Sequence, residues 1–594
     1  MKNNILLCGM ISLLSISTLF SQTLAERQEI SNTYNQQKLS LLETELRQKF
    51  ETNQRIAFDM AAAKGWETQL ILPNGGNALL VGIFDDQTPK YYATYNREGC
   101  ITTRADRLHT GGASGLNLNG ENMIAGVWDG GSVRGTHNLL VGRTTQLDNP
   151  ESISNHATHV SGTMIGSADE FNGLAKGMAP MAELLAYDFG NDESEMTSEA
   201  SQGMIISNHS YGIYADNLPL SRLGYYDNNA RDIDRIIYNA PYYLPVVAAG
   251  NDRQSGVNTT DGGYDYLTDK AVAKNNMVVA ATFEVLDYQD ASDVFMSSFS
   301  SWGPTDDGRI KPDISAKGVN MLSSTGTSNN AYGNSSGTSM SSPNVSGSLI
   351  LLQQHYNNLN QEYMLASTLR ALTLHTADEA GNNPGPDYRF GWGLMNSERA
   401  AALISDDTDH SMIITQTLNA NDVYTYTFKA DGTKDIAATI AWTDPAASLL
   451  PGGNNDLATP RLMNDLDLRI SKDGGLTYFP WILDLAAPSA GATTGDNVVD
   501  NVEKIEINAP EPGDYIVRVS HKGQLLTNDI QVFSLILEGI SSEDFIVSTT
   551  SGNVLTCPEV ETATFDIDLT FDQGFEDTVV LTFDAAPPGT TAVL

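Results

Sequence analysis

Residues 115–405 predict an α/β unit built on a parallel sheet, and the residues after about 410 predict an all-β unit. Two observations carry this reading. Short apolar runs at Met123–Trp128, Leu184–Tyr187, Met204–Ser207, Leu244–Ala249 and Met277–Ala281 have the length and continuity of strands buried on both faces. Helical patterns separate several of them, which places helices on both sides of one sheet. After residue 410 the helical period disappears. Runs such as Val423–Phe428, Ile436–Trp442, Leu466–Ile470, Lys504–Ile507, Tyr515–Val519 and Val532–Leu537 then sit between Gly, Pro, Asn and Asp clusters. That is the pattern of a β-sandwich or jelly roll over 409–541.

The flanks read differently. Lys2 precedes an apolar run from Ile5 to about Phe20, followed by Thr23-Leu24-Ala25. The run is short for a membrane span, and its flanks are those of a secretory signal peptide over 1–25. Residues 26–110 read as a pro-segment or an N-terminal domain. A polar helix with Leu39, Leu41, Leu42, Leu46 and Phe50 on its apolar spacing leads into short strands between Glu67 and Tyr95. The next unit, 111–408, starts somewhere between Tyr95 and Gly115. Beyond Ser542, runs at Thr564–Phe571 and Thr578–Phe583 read as the start of a further β domain, a partial sandwich over 542–594.

Composition narrows the function classes. With 34 Lys and Arg against 73 Asp and Glu, the formal charge is −39. Such a chain repels phosphate backbones and anionic lipid, so nucleic acid and membrane-surface partners are disfavoured. Abundant carboxylates favour hard cations, calcium above all outside the cell. Only Cys100 and Cys557 lie beyond the leader, too far apart for a disulfide framework or a thiol metal site.

Three segments carry the chemistry. Ser339, in Gly337-Thr338-Ser339-Met340-Ser341-Ser342-Pro343, follows a tight turn and opens a small-residue helix. At such a helix N-terminus, free N–H groups and the helix dipole favour a developing negative charge. Pro343 is expected in the first turn, where a missing N–H costs nothing. His156, in Asn155-His156-Ala157-Thr158-His159, is the candidate base. A zinc-protease helix spaces its histidines four apart with an adjacent Glu, which is absent here, so His159 reads as a structural histidine. Asp129 follows the apolar run Ile124–Trp128, at the strand edge where open α/β sheets build their sites. A nucleophilic serine needs a base, and the base needs an orienting carboxylate.

The order Asp, His, Ser in these segments resembles the subtilisin-like serine peptidase family. The resemblance covers about residues 115–405 and extends more loosely to 541. It implies a subtilisin-like parallel sheet and four catalytic residues. Those are Asp129, His156, Ser339 and Asn251, the last standing in Val246-Val247-Ala248-Ala249-Gly250-Asn251 as the oxyanion-hole amide. Ser210-Tyr211-Gly212 matches the strand that lines the substrate cleft. Phe299–Pro304 with Lys311–Asp313, and Gly385–Tyr388 with Gly391–Gly393, match family core segments. The β region around Asn464-Asp465-Leu466-Asp467-Leu468 is similar to the jelly-roll domain of some bacterial subtilases, where calcium is frequent. Asp444, Asp465, Asp467 and Asp500 are therefore calcium candidates, with solvated turn carboxylates the competing reading. Departures are Gly130 after Asp129 in place of Ser or Thr, Ala157 in place of Gly, and Lys317 in place of Pro.

The expected function is that of a secreted, zymogen-type serine endopeptidase acting on protein or peptide substrates, with no cofactor needed for the chemistry. It is free or held at the cell surface by whatever follows Leu594. The alternative is a secreted binding or adhesion protein that keeps the same fold without turnover.

Overall fold

A computed structural model describes residues 55–541, apart from 67, 72–76, 84–88, 94–95, 168–172, 214, 216–217, 451–455, 473 and 527, together with two paired strands, Phe545–Thr549 and Ile567–Phe571. The expected leader, the helical pattern before residue 55, Cys557 and the run at 578–583 lie outside the described residues. Residues 55–64 are helical, with Ala57 and Ala61 packed by Trp66. Strands β1 (Gln69–Ile71), β2 (Asn77–Ile83) and β3 (Pro89–Ala93) form a small antiparallel sheet in that order.

Helices α1 (Asn96–Thr103) and α2 (Ala105–Leu108) bury Cys100, Ala105 and Leu108 in the main core, so residues just before the expected start at 111 pack with the α/β unit, within the Tyr95–Gly115 range. A short helix of mixed polarity carries little periodic signal, so its tertiary packing was not legible.

The α/β unit is built on seven parallel strands: β4 (Ile124–Asp129), β5 (Thr144–Gln146), β6 (Glu183–Asp188), β7 (Ile206–His209), β8 (Leu244–Ala248), β9 (Met277–Thr282) and β10 (Ile314–Lys317). Their order is β10-β9-β8-β7-β4-β6-β5. From β4 the chain moves one way to β5 and β6, then returns to β7 on the other side. That reversal opens a crevice beyond the carboxyl ends of β4 and β7, where a doubly wound sheet binds its ligand. Central strands such as Met277–Thr282 are buried at every position, which explains their unbroken apolar sequence. Helices α3 (Asn155–Ile165), α4 (Asp192–Ser201), α5 (Asn228–Asn239), α6 (Thr338–Asn360), α7 (Ala366–His375) and α8 (Ser397–Ser405) complete the unit. A hairpin of β11 (Met321–Ser324) and β12 (Tyr332–Ser335) lies against α3.

The region from 411 to 538 holds two four-stranded antiparallel sheets. One has the order β13 (Ser411–Asn419), β22 (Ile530–Glu538), β15 (Ile436–Trp442), β20 (Val502–Ile507). The other runs β14 (Tyr424–Ala430), β21 (Gly513–Lys522), β16 (Asp465–Lys472), β17 (Thr477–Tyr478), with a small hairpin β18 (Trp481–Ile482) and β19 (Thr493–Thr494) beside them. Strand β15 shows how this sandwich docks. Ile436, Ala438, Ile440 and Trp442 fill the sandwich core, while Ala441 joins the α/β core and Thr439 meets His375 of α7. One strand is thus buried on both faces although it is antiparallel. No helix among the described residues is long and apolar enough to cross a membrane.

Candidate active site

Asp129 ends β4 and is 2% exposed. Its Oδ1 accepts the Gly130 N–H at 2.7 Å and the His156 Nδ1–H at 2.7 Å, with Oδ2 at 2.9 Å from the same nitrogen. His156 stands in the first turn of α3, whose N-cap Ser154 accepts the Ala157 N–H at 3.1 Å. Such a cap fixes where the helix begins, and so where the imidazole stands relative to β4. Burial alone would lower the His156 pKa, but the hydrogen bond and charge of Asp129 outweigh it and hold the pKa above the ordinary 6.5. This arrangement leaves Nε2 without a partner among the described residues. His159, three residues on, is buried and faces away from this pair. Its Nε2 meets the carbonyls of Met321 and Gly333 at 2.9 and 3.1 Å, and burial drives its pKa to about 4.

Ser339 is the second residue of α6, capped at its N-terminus by Gly337. Its hydroxyl donates to the Ser210 carbonyl at 3.0 Å rather than to His156. Asn251, exposed at the crevice, uses Oδ1 to accept the Thr338 N–H at 2.8 Å and the Thr338 hydroxyl at 3.1 Å. Its Nδ2 and the Ser339 N–H are left without acceptors among the described residues. Pro343 is not in the first turn as expected but in the second. There its missing N–H deprives the Ser339 carbonyl of a helical donor. The Ser210 hydroxyl supplies one at 2.9 Å. Ser210 is therefore bound to the serine segment on both of its polar atoms.

The stretch expected as a cleft-lining strand is irregular. β7 stops at His209, and residues 210–212 continue without a sheet partner. Tyr211 turns its ring inward, with its hydroxyl 2.5 Å from Asp192 and 3.0 Å from His209 Nδ1. Gly212 is exposed with open space where a Cβ would stand.

The subtilase-family model matches residues 77–393, more than half of the chain. The chain belongs to the subtilase family. A serine protease is the activity that this membership supports. Among curated relatives, "Serine protease/ABC transporter B family protein tagA" of Dictyostelium discoideum is 22% identical over 522 residues, covering 69% of this chain and 29% of that protein. A "C5a peptidase" of Streptococcus pyogenes serotype M3 is 49% identical over 92 residues, covering 16% of this chain and 8% of that protein. The chain thus spans less than a third of the length of these relatives. Of solved structures, the prenylagaramide maturation protease PagA aligns at 23% identity and a TM-score of 0.37, over 48% of this chain and 94% of that one.

Two of the three departures from the subtilase pattern have a matching neighbour in the structure. A Cβ on Gly130 would stand 2.9 Å from the Phe189 ring, so a larger residue meets an aromatic wall. Ala157 is fully buried in the first turns of α3. Lys317, fully buried at the end of β10, pairs with Glu98 of α1 at 2.8 Å, which compensates its charge. Glu98 is the partner that sequence reading missed; it lies 219 residues away, in the segment assigned to another domain.

The four calcium candidates do not converge. Asp444 is buried against Lys274 and accepts the Met463 and Asn464 N–H groups at 2.9 and 2.8 Å. Asp467 lies 2.8 Å from both Arg469 and Lys522, and Asp465 is 3.4 Å from Lys522. Asp500 accepts from the Ile310 N–H at 2.7 Å and from Asn497 at 3.0 Å. Protein donors serve each of them, and Asp444, Asp467 and Asp500 are buried and not the solvated turn carboxylates of the competing reading.

Proposed function

We propose that this subtilase is a secreted serine endopeptidase in which Asp129, His156 and Ser339 act as a triad and Asn251 completes the oxyanion hole. The observation that carries the reading is the Asp129–His156 pair at 2.7 Å, set against a serine at a helix N-terminus in the same crevice. Asp129 holds the Nδ1–H tautomer, leaving Nε2 as the base. With substrate bound, the Ser339 hydroxyl turns from the Ser210 carbonyl to His156, gives up its proton and attacks the scissile carbonyl. Such hydrogen bonds commonly tighten only in the complex. Asn251 Nδ2 and the Ser339 N–H, both without other acceptors, then stabilise the tetrahedral oxyanion. His156 returns the proton to the leaving amine, and water repeats the sequence on the acyl-enzyme. An extended peptide is accommodated by strand addition along the unpaired backbone of residues 210–212. The net charge of −39 and the N-terminal pattern support an extracellular setting without nucleic acid or an anionic membrane as partner.

A phosphonofluoridate probe tests this. Wild-type protein should be labelled at Ser339, and Ser339→Ala should lose both the label and about 10⁶ in kcat. Folded, processed protein that takes no label would sink the proposal and favour a non-catalytic binding role.

A further inference from the structure

Three carboxylates that peptide hydrolysis does not use meet where the α/β unit touches the sandwich. Asp265 lies in the loop after β8, Asp306 in the loop before β10, and Asp456 in the sandwich loop between β15 and β16. One oxygen from each lies within 4.8 Å of the other two. Asp265 and Asp306 are only 8% and 7% exposed. Asp265 Oδ1 and both oxygens of Asp306 have no hydrogen-bond donor. The Leu457 amide close to Asp306 eases its charge without reaching hydrogen-bonding geometry. Asp265 Oδ2 alone is served, by Asn258 Nδ2 at 3.2 Å.

The backbone is shaped around these oxygens. Gly224, at φ +67°, passes directly over them, and a Cβ there would lie 2.5 Å from Asp306 Oδ1 and 2.6 Å from Asp265 Oδ1. Both oxygens thus face one point, and glycine alone lets the loop approach it in that conformation. The charge of Arg309 eases Asp306 from a distance, but neither Arg309, whose two terminal nitrogens are buried without a partner, nor Arg461 forms an ion pair with the three. Arg309 Nε reaches Asp307 at 2.9 and 3.0 Å, and Arg461 donates to the carbonyls of Thr459 and Ser448. Among the described residues no Lys or Arg forms an ion pair with the three.

Buried carboxylate oxygens with neither a donor nor a paired cation must take up either protons or a cation. Asn would fill the same places without this penalty if a neutral group were all that the fold needed.

We propose that Asp265, Asp306 and Asp456 form a calcium site that clamps the sandwich loop onto the α/β unit. The donor set is all oxygen, the choice of a hard cation. Calcium–oxygen bonds of about 2.3–2.6 Å place opposed ligands about 5 Å apart, in keeping with the spacing here, whereas magnesium demands a tighter octahedron. The site is separate from Asp444, Asp465, Asp467 and Asp500. It does not depend on the catalytic proposal, because its readout is binding and not turnover.

The test is a calcium titration of chelator-treated full chain carrying Ser339→Ala, followed by calorimetry with calcium chloride as the only ligand. The wild-type site should bind one equivalent that Asp306→Asn and Asp456→Asn each weaken at least about tenfold, the effect that even outer-shell changes have on metal affinity. Asp409→Asn, in the separate Asp406–Asp409–His410 group, should leave that equivalent unchanged. Absence of any binding up to about 1 mM, the upper range of extracellular calcium modules, overturns the site. So does an equivalent that is indifferent to Asp306→Asn and Asp456→Asn. Should Asp306→Asn fail to fold, Asp456→Asn carries the test alone, since its side chain is exposed.

Discussion

The crevice at β4 and β7 and the seam between the α/β unit and the sandwich handle polar groups in opposite ways. In the crevice, His156 Nε2, Asn251 Nδ2 and the Ser339 N–H lack partners among the described residues, beside water. In the seam, Lys274 and Asp444 are fully buried as an ion pair. Lys274 Nζ also donates to the Pro445 and Arg461 carbonyls at 2.6 and 2.9 Å, and Asn275 bridges to Asp444. Spare groups at the solvent edge cost little: Asn251 Nδ2 and the Ser339 N–H are donors available for a developing negative charge, and His156 Nε2 is an acceptor available for a proton. Spare polar groups around Lys274 and Asp444 would each cost about 1–3 kcal/mol, and there they are matched, with the Asp265–Asp306 oxygens and the terminal nitrogens of Arg309 the exceptions in the same seam. The contrast separates groups held for chemistry from groups held for docking.

The largest effect should come from uncoupling the crevice pair. Asp129→Asn keeps the shape but loses the carboxylate that selects the tautomer, and kcat should fall by about 10⁴. The pH profile gives a second reading. With neutral His156 as the proposed base, activity should fall as pH drops through its raised pKa, above the ordinary 6.5. In Asp129→Asn only burial remains, which lowers the pKa, and the acid limb of kcat/KM should move to lower pH. Stability carries the opposite sign. Folding favours the proton on His156, so that contribution is full below about 6.5 and is lost as pH rises through the raised value. An acid limb that stays in place in Asp129→Asn would separate the two residues functionally.

The seam should respond in stability and not in chemistry. Lys274→Ala leaves Asp444 buried and uncompensated, a change that typically costs about 3–5 kcal/mol. Urea unfolding should show that loss, while Lys274→Met combined with Asp444→Leu removes the lone charge but should recover only part of it, because the Met463 and Asn464 N–H groups lose their acceptor. Labelling of Ser339 under mild conditions should persist in both. A loss of labelling with folding intact would mean that the seam governs the crevice.

What could be read from the sequence follows the same division. Asp129, His156 and Ser339 each sit in a local pattern, a strand end, a capped helix start and a Gly turn, and the parallel strands announced themselves by unbroken apolar runs. The missed features are all long-range. Lys317 stands out against the subtilase pattern until Glu98 reaches it from α1. The packing of Cys100 and Leu108 into the α/β core is set by distant partners, and no periodicity marks it. Asp265, Asp306 and Asp456 look like ordinary loop carboxylates until three loops bring them together. Pro343 was placed one turn too early, because helix phase depends on where Gly337 and Asn251 set the first residue.

That phase leads to the smallest effect expected. Pro343 leaves the Ser339 carbonyl without an N–H, and the Ser210 hydroxyl replaces it at 2.9 Å, itself held by Asn208 Nδ2 at 2.9 Å. Ser210→Ala should therefore cost about 1 kcal/mol or slightly more, the penalty of a buried carbonyl left unpaired. The change in kcat should be modest, since no catalytic atom is removed. A double-mutant cycle with Pro343→Ala distinguishes this account from simple loss of packing. Restoring an N–H at 343 gives the carbonyl its helical donor back, so the Ser210→Ala penalty should shrink in that background. Equal penalties in both backgrounds would show that the Ser210 hydroxyl does not compensate for the proline.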